Sequence, residues 1–198
     1  MQAVESRQSE AFKRATAQQW DHAAAGWNRH APQIRAWLRT ATDAMLGMAG
    51  VGPGMAVLDL AAGAGDQTLD IAARAGSAGA VTAVDLSAGI LALAEAAAKR
   101  GGHANVRTLV ADAEDLPLED ACFDAAVCRL GLMFLPDPEQ GLRELHRVLK
   151  PGARACVMVF SRPEKNPCIT TLMATALRHA GLPPRDPYQP GGLLSLGK

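Results

Sequence analysis

From Met55 to Phe160 the sequence alternates short apolar runs with amphipathic segments. This alternation is typical of repeated strand–helix units over a parallel sheet. The apolar runs predict five strands, at residues 56–60, 80–84, 106–110, 125–128 and 155–160. The amphipathic segments predict helices at residues 68–74, 87–100, 138–149 and 167–180, with Ser87 as the N-cap of the second. We therefore expect a doubly wound, mostly parallel, Rossmann-like α/β fold.

The segments on either side of this region have a different character. Residues 1–50 carry large apolar side chains at rough helical spacing, so we expect an N-terminal helical segment that is broken at Gly26 and Pro32. Residues 182–198 form a tail rich in glycine and proline, without a strand pattern. With 198 residues in all, one α/β domain at residues 51–181 is the natural expectation.

The composition restricts the partners of the protein. Twenty Lys and Arg side chains balance twenty Asp and Glu side chains, so we expect neither a nucleic-acid partner nor attraction to an anionic membrane. The sequence contains no apolar run long enough for a membrane span and no signal-peptide pattern. Four cysteines without CxxC spacing fit a reduced, cytoplasmic protein. A small-molecule substrate is the partner that remains, and the sequence gives no oligomeric state.

The first predicted strand leads directly into a glycine-rich stretch, VLDLAAGAGDQT at residues 57–68. Small residues in this loop allow a sharp turn and let a ligand approach the backbone. Dinucleotides and nucleosides both use such loops, and a purely structural turn would also use glycine. Asp85, at the end of the second strand, suits the hydroxyls of a ribose in either nucleotide class. Together these features predict a nucleotide site without identifying the nucleotide.

Two acidic residues discriminate between the nucleotides: Asp59, near the end of the first strand, and Asp66, in the first turn of the next helix. A pyrophosphate would lie at that helix N-terminus, where Asp66 would oppose it by roughly 4 kcal/mol at about 4 Å. Thr68 also stands where a dinucleotide loop has its third glycine. The pattern favours a ligand that is cationic near the loop, such as S-adenosylmethionine. Alternatively, Asp66 caps its helix and Asp59 accepts hydrogen bonds from loop N–H groups.

Further candidates follow the third and fourth strands. Asp112 can accept a hydrogen bond from an adenine amine while the N–H of Ala113 donates to a ring nitrogen. The other acids of this turn fit a solvated acidic surface, namely Glu114, Asp115, Glu119 and Asp120. Arg129 stands in an apolar surround and needs a partner there, either in a structural ion pair or in a ligand. Residues 130–134 should face the cofactor and the substrate.

With these blocks in order, the chain resembles the class I S-adenosylmethionine-dependent methyltransferases and is similar to the ubiquinone/menaquinone biosynthesis group. The resemblance covers residues 50–160 and rests on five blocks: VLDLAAGAGDQT, AVDLS, DAEDLP, FDAAVCRLGLMF and RVLKPGARACVMVF. It implies that small loop residues contact the methionine part of the cofactor, that the next acid and its neighbour hold the ribose, and that the following pair reads the adenine. In order, these residues are Ala61, Gly63 and Gly65, then Asp85 and Leu86, then Asp112 and Ala113.

The resemblance also implies that Cys128 offers its backbone beside the methionine part, and that Trp20 and Trp27 belong to a lid over the cofactor. Packing on the core is the alternative role of the two tryptophans. The chain departs from the family at Ala61, where many members carry glycine. It also lacks the last antiparallel hairpin, so we expect an exposed edge at the fifth strand and an incompletely represented protein.

Methyl transfer from a sulfonium is an in-line displacement, for which alignment and exclusion of water matter most and no side chain is obligatory. The expected function is therefore methyl transfer to a small-molecule acceptor, with no catalytic base and no metal site identified. An oxidoreductase that uses NAD(P) is one alternative, and a non-catalytic binding protein on the same fold is another. The sequence does not distinguish O-, C- and N-methylation.

Overall fold

A computed structural model describes the backbone of residues 2–198 and the side chains of residues 7–198. Its centre is a parallel sheet of five strands in the order β3-β2-β1-β4-β5. The strands are β1 Ala56–Leu60, β2 Ala80–Asp85, β3 Val106–Val110, β4 Phe123–Arg129 and β5 Leu149–Met158. The main helices are α1 Gln2–Ala49, α2 Asp66–Ala75, α3 Ala88–Arg100, α4 Pro138–Val148 and α5 Pro167–His179. The strand order reverses between β1 and β4, so the predicted doubly wound Rossmann-like fold is confirmed.

The sheet is buried on both faces, because apolar side chains of the central strands alternate between two core clusters. One cluster joins β1 and β4 to α2 and to the end of α1, through Val57, Val127, Ile71 and Leu46 among others. The other cluster joins the opposite face of the same strands to α4, through Leu58, Cys128 and Leu145 among others. The central strands thus form the rigid floor on which the loops at their carboxyl ends are held.

The predicted break in the N-terminal segment is wrong, since α1 is one helix of 48 residues that includes Gly26 and Pro32. A proline inside a helix removes one hydrogen bond and costs about 3 kcal/mol or more. Packing on both sides of the proline offsets that cost. Before it, Ala24 is buried against the α3 residue Ile90, and after it Leu46 is buried in the core beneath the sheet.

The element limits follow the sequence closely in the first half of the chain. Strands β1 and β3 have the predicted limits, and Ser87 caps α3 by accepting a hydrogen bond from the N–H of Ile90 at 3.2 Å. Helix α2 begins at Asp66, two residues before the predicted start, with Gly65 as its N-cap residue. In this part of the chain, glycines and cap residues are sufficient to predict where the helices and strands begin and end.

Strand β5 begins at Leu149, six residues before the predicted start, and therefore includes Pro151 and Gly152. Proline is tolerated because β5 pairs only with β4, so that its other side needs no hydrogen-bond donor. The strand pairing also shifts register between Phe123 and Ala125. The end of α4 was therefore predicted correctly to within one residue, but the segment after it is extended rather than a loop.

Beyond β5 the chain is more exposed. None of the residues of α5, all of which the structure describes, is buried. The glycine- and proline-rich tail forms turns rather than a strand, and it is anchored by the buried Leu194 and by a 3.0 Å hydrogen bond from Ser195 Oγ to the carbonyl of Met133. Within the described residues, no helix is both long enough and apolar enough to cross a bilayer.

Candidate functional site

A cavity opens at the carboxyl edge of the sheet, where β1 and β4 lie side by side and the strand order reverses. Ligands of doubly wound folds bind at this topological switch point. The cavity encloses about 950 Å³ of empty space, counting its open mouth. Its walls come from the loops after four strands, from α1 and from the short helix Leu132–Phe134. Its position is that of a ligand site in an open α/β sheet.

Six of the nine predicted cofactor residues line this cavity: Ala61, Gly63, Asp85, Leu86, Asp112 and Ala113. The remaining three, Asp59, Gly65 and Cys128, do not line it. Asp59 and Cys128 are fully buried within the sheet behind the cavity wall, and Gly65 packs against α3. The structure thus brings the predicted residues together at one edge, and their individual contacts with a ligand stay predictions.

Asp59 is a buried structural carboxylate. Its oxygens accept hydrogen bonds from Gln67 Nε2 at 2.9 Å and from Thr68 Oγ1 at 2.5 Å, both in the first turns of α2. It therefore does not satisfy loop N–H groups, as the alternative interpretation proposed. Burial raises the pKa of Asp59 to about 6, although the two hydrogen bonds act in the opposite direction. This carboxylate fixes the start of α2 against β1.

The glycine-rich loop contains two positions where geometry restricts the residue. Gly65 has a φ of 88°, and a Cβ atom there would lie 2.8 Å from the Cβ of Ala94 on α3. Glycine is therefore required for the close approach of α2 and α3. Ala61 also has a positive φ, 55°, and its methyl group occupies the space beside Gly131. The departure from glycine at Ala61 is thus accommodated by a glycine across the cavity wall, at some backbone strain.

Asp85 connects the loop to the next helix. One carboxylate oxygen accepts a hydrogen bond from the N–H of Gly63 at 2.9 Å, and the other accepts one from the N–H of Ser87 at 3.0 Å. Burial raises the pKa of Asp85, and these N–H donors counteract the rise. Because a carboxylate has about four acceptor positions, two remain for ligand hydroxyls at the cavity wall.

Asp112 is held by a residue that sequence reasoning missed. Lys13, on α1, places its ammonium 2.6 Å from Asp112 and 2.6 Å from Glu114. Glu114 is buried and also accepts a 2.6 Å hydrogen bond from the N–H of Asp137, so its prediction as a solvated acid is wrong. Burial lowers the pKa of Lys13, but the hydrogen bonds to both carboxylates outweigh this effect and raise it overall.

Asp66 and Arg129 face each other across the switch point. Arg129 Nη2 lies 3.6 Å from Asp66 Oδ2, and Nη1 donates a 2.9 Å hydrogen bond to Thr42 of α1. Burial raises the pKa of Asp66, whereas the positive charge of Arg129 opposes the rise. This pairing weakens the prediction from charge, because Asp66 is not an isolated negative charge. It also shows that the helix-capping alternative does not apply, since the cap residue is Gly65.

Helix α1 crosses the cavity and forms one wall of it. The ring centroids of Trp20 and Phe134 are 5.5 Å apart, and those of Trp20 and Trp27 are 5.4 Å apart, all in edge-to-face geometry. Near them, Asp21 accepts hydrogen bonds from Ser87 Oγ at 2.5 Å and from the N–H of Gly89 at 2.9 Å. Both tryptophans line the cavity and also pack against the buried residues Ala24, Ala64 and Ile90, so the lid role and the core-packing role both stay predictions.

The sequence did carry a signal for this contact surface. Lys13, Trp20 and Trp27 recur every seven residues, a spacing that places side chains on the same face of a helix. We expected the N-terminal segment to be broken at Gly26 and Pro32, so this spacing was not used to predict one continuous helix face. Among the described side chains, no group of three or more metal-binding residues is found.

Comparison with solved structures agrees with this fold. A structure described as a SAM-dependent methyltransferase from Aquifex aeolicus aligns with a TM-score of 0.57 and 28% sequence identity, over 61% of this chain and 64% of that one. The fold is that of the Rossmann-like methyltransferases. Within this class, the chain matches the model of the ubiE/COQ5 methyltransferase family over residues 31–176. The chain belongs to that family.

Curated relatives lie in the same family. The chain is 39% identical over 130 residues to the ubiquinone/menaquinone biosynthesis C-methyltransferase of Idiomarina loihiensis, which covers 65% of this chain and 50% of the relative. It is 44% identical over 115 residues to a 2-phytyl-1,4-naphtoquinone methyltransferase of a Nostoc species, over 58% of this chain and 50% of the relative. The chain therefore spans about half the length of the curated relatives it matches.

Family membership confirms the predicted resemblance, the methyltransferase class and S-adenosylmethionine as the cofactor of that class. It gives no support to an oxidoreductase that uses NAD(P).

Proposed function

We propose that the whole protein transfers the methyl group of S-adenosylmethionine to a small, planar acceptor of the quinol type. The observation that carries the proposal is the two-sided cavity at the switch point. One side is the glycine-rich loop with Asp85, and the other is the aromatic surface of Trp20, Trp27 and Phe134. When bound, the cofactor supplies an electrophilic methyl group on its sulfonium.

The cofactor-holding residues follow from the chemistry at each part of the cavity. Asp85 retains acceptor positions for the ribose hydroxyls, and its neighbour Leu86 lines the same wall. Asp112 and Ala113 supply an acceptor and a backbone donor for the adenine. Ala61 and Gly63 bring backbone close to the methionine part. Gly65, Asp59 and Cys128 act from behind the wall, by fixing the loop rather than by lining the cavity.

The acceptor class follows from the aromatic side of the cavity. Edge-to-face rings favour a flat apolar partner, because their surfaces bury area without leaving polar groups unpaired. The two curated relatives are named for ubiquinone, menaquinone and 2-phytyl-1,4-naphthoquinone chemistry, which agrees with a ring of this kind. We therefore favour methylation of a ring carbon, although the choice of atom rests on the relatives alone.

The contribution of the protein is alignment and exclusion of water. Helix α1 covers the cavity through Trp20 and is fixed at Asp21 and Lys13, so that solvent is kept from the reacting groups. No side chain is assigned as a base. A reduced cytoplasmic setting, the absence of a nucleic-acid partner and the division at residues 50 and 181 belong to this proposal.

Titration calorimetry tests the cofactor, and transfer of a labelled methyl group to short-chain quinols tests the reaction. We expect S-adenosylmethionine to bind and NAD and NADP not to bind. Binding of a dinucleotide alone would contradict the proposal. Cofactor binding without transfer to any quinol, in a full-length protein, would support the non-catalytic alternative instead.

Asp85→Asn tests the site assignment. It keeps the size of the side chain but removes the charge and one acceptor, so cofactor affinity should fall roughly 10- to 100-fold. Glu164→Gln is the matched control, since Glu164 is exposed and remote from the cavity. Equal affinity in the Asp85 variant and the control would contradict the assignment of Asp85.

A further inference from the structure

The front half of α1, residues 7–31, is attached to the molecule differently from the rest of the helix. Of the side chains that the structure describes in this half, only that of Ala24 is buried. Beyond Pro32, the buried residues of the helix are Leu38, Thr42, Met45, Leu46 and Ala49. Pro32 has no N–H, so the helix lacks one backbone hydrogen bond at the junction. Movement of the front half about Pro32 therefore disrupts less buried packing than movement of the remainder would.

Two polar contacts tie the front half to the loops of the cavity. Asp21 accepts a hydrogen bond from the Ser87 hydroxyl at 2.5 Å, at the start of α3. Lys13 places its ammonium 2.6 Å from both Asp112 and Glu114, in the loop after β3. The two contacts thus reach the loops that follow β2 and β3, each of which carries an acid that lines the cavity.

The Lys13 contact is shielded from solvent. The side chain of Lys13 is 15% exposed, whereas that of Arg14, the next residue of the helix, is 68% exposed. Lys13 also lines the cavity, and both of its partners are carboxylates. An ion pair that is shielded from water keeps more of its Coulomb energy than an exposed pair does. Lys13 is therefore the stronger charged contact between the front half and the cavity.

Lys13 also fixes the orientation of the Asp112 carboxylate. One oxygen of Asp112 contacts the ammonium, and the other accepts a 2.9 Å hydrogen bond from the N–H of Glu114. Because each carboxylate oxygen has about two acceptor positions, each keeps one for a further donor. The position of these acceptors therefore depends on where the front half of α1 lies.

We propose that Lys13 is a positioning residue that couples closure of the front half of α1 to occupation of the cavity by the cofactor. In the closed position Lys13 holds the Asp112 carboxylate at the cavity wall, and a ligand that bonds to Asp112 in turn favours the closed position. Such coupling is reciprocal by thermodynamic necessity. The proposal rests on the proposed function, because its ligand is the cofactor of that function. Lys13 acts through Asp112 and takes no part in methyl transfer itself.

Tryptophan fluorescence can follow the front half by itself, since the chain has three tryptophans. Trp20 and Trp27 belong to the front half and line the cavity, whereas Trp37 lies beyond Pro32 and is 67% exposed. In a Trp37→Phe background, all tryptophan emission therefore comes from the front half. Acrylamide quenching then reports its accessibility, and titration calorimetry with S-adenosylhomocysteine reports the cofactor site. We expect this ligand to lower the quenching constant by at least about twofold.

Lys13→Gln, made in the same background, removes the ammonium. We expect it to raise the quenching constant of the free protein and to weaken S-adenosylhomocysteine binding roughly 5- to 30-fold, because the coupling is lost. Arg14→Gln is the matched control, since it removes one positive charge from the adjacent exposed position and should change neither quantity. Lys13→Arg keeps the charge and should recover part of both. Circular dichroism checks that each variant is folded.

The outcomes separate coupling from a purely structural role. If Lys13→Gln raises the quenching constant but binds S-adenosylhomocysteine as the Arg14→Gln control does, Lys13 only anchors the helix, and this inference is overturned while the proposed function stands. The same holds if the Trp37→Phe protein binds the ligand without any change in quenching. That second result needs no change at Lys13, so it decides the question even if Lys13→Gln does not fold. If neither the wild-type nor the Trp37→Phe protein binds the ligand, the proposed function fails and the inference fails with it.

Discussion

Two regions of the molecule are packed very differently. In the glycine-loop half, which comprises β1, α2, β2 and α3, strand β1 is buried at four of its five positions. In the strand-five end, which comprises β5 and α5, the structure describes every residue and none is buried. The glycine-loop half has neighbours on both sides and both faces, whereas β5 pairs on one side only.

This difference separates the part of the molecule that forms most of the candidate site from the edge of the sheet. In the glycine-loop half, pairs of residues in direct contact hold the site. Examples are Gly65, which lies against Ala94, and Asp59, which accepts a hydrogen bond from Thr68. The strand-five end contributes less to the cavity. Equivalent substitutions in the two regions should therefore have unequal effects.

The largest expected difference is between two helix leucines. Leu91 on α3 is 2% exposed and packs against Ala62 and Ala83, so Leu91→Ala should lower the free energy of unfolding by about 2–5 kcal/mol. Leu172 on α5 is 69% exposed, so Leu172→Ala should change it by about 0.5 kcal/mol or less. Urea unfolding followed by circular dichroism measures both. Equal losses would show that α5 is packed as firmly as α3.

A second contrast uses two glycines with positive φ. Gly65→Ala combines a strained backbone with overlap against Ala94, and should cost about 2–4 kcal/mol. Gly152→Ala, in β5, has a similar φ of 82° but meets nothing within 4 Å, so it should cost only about 1–2 kcal/mol. The difference between the two losses of unfolding free energy reports how closely α2 and α3 approach each other. Equal losses for the two variants would mean that α2 and α3 move apart easily to make room for the added methyl group.

The third contrast concerns pH. Burial raises the pKa of Asp59 to about 6, above its ordinary value of 3.8, so the native protein keeps a proton that the unfolded chain releases. Between about pH 4 and 6 this residue therefore makes stability fall as pH rises, by at most about 3 kcal/mol. Asp59→Asn should remove that dependence.

Asp124, beside β5, supplies the opposite case. The hydrogen bond from Lys150 lowers its pKa, so its contribution is present at neutral pH and is lost as pH falls through the folded-state value. Unfolding free energies from urea titrations at several pH values should thus change in opposite directions for Asp59→Asn and Asp124→Asn. Parallel pH profiles would contradict the assignment of buried charge to Asp59.

The same contrast explains what the sequence could predict. Strand β1, the glycine-rich loop and the Ser87 cap are specified by adjacent residues, so local patterns were sufficient. Continuity through Pro32 and the early start of β5 depend on packing and on edge position, which have no local signal. For the candidate site, the sequence predicted the residues in the loops that follow the strands.

The contacts that α1 makes with those loops were not predicted. Lys13 meets Asp112, and Thr42 meets Arg129, only because a continuous helix passes over the carboxyl edge of the sheet. Each pair is distant in sequence, and neither Lys13 nor Thr42 was predicted as the partner. The charge argument considered Asp66 in isolation, and it was weakened for this reason, since the partner of Asp66 comes from another strand.

The smallest expected effect concerns the alanine at the family's glycine position. Ala61 and Ala121 both have positive φ, 55° and 50°, but only Ala61 lines the cavity, while Ala121 is exposed. Glycine relieves the backbone strain at either position, so Ala121→Gly should stabilise the protein by about 0.5–1 kcal/mol. Ala61→Gly also removes a methyl group packed beside Gly131, so its net change should be close to zero. Thermal unfolding of the two variants measures this difference, and a gain at Ala61 as large as that at Ala121 would show that the methyl group contributes no packing to the loop.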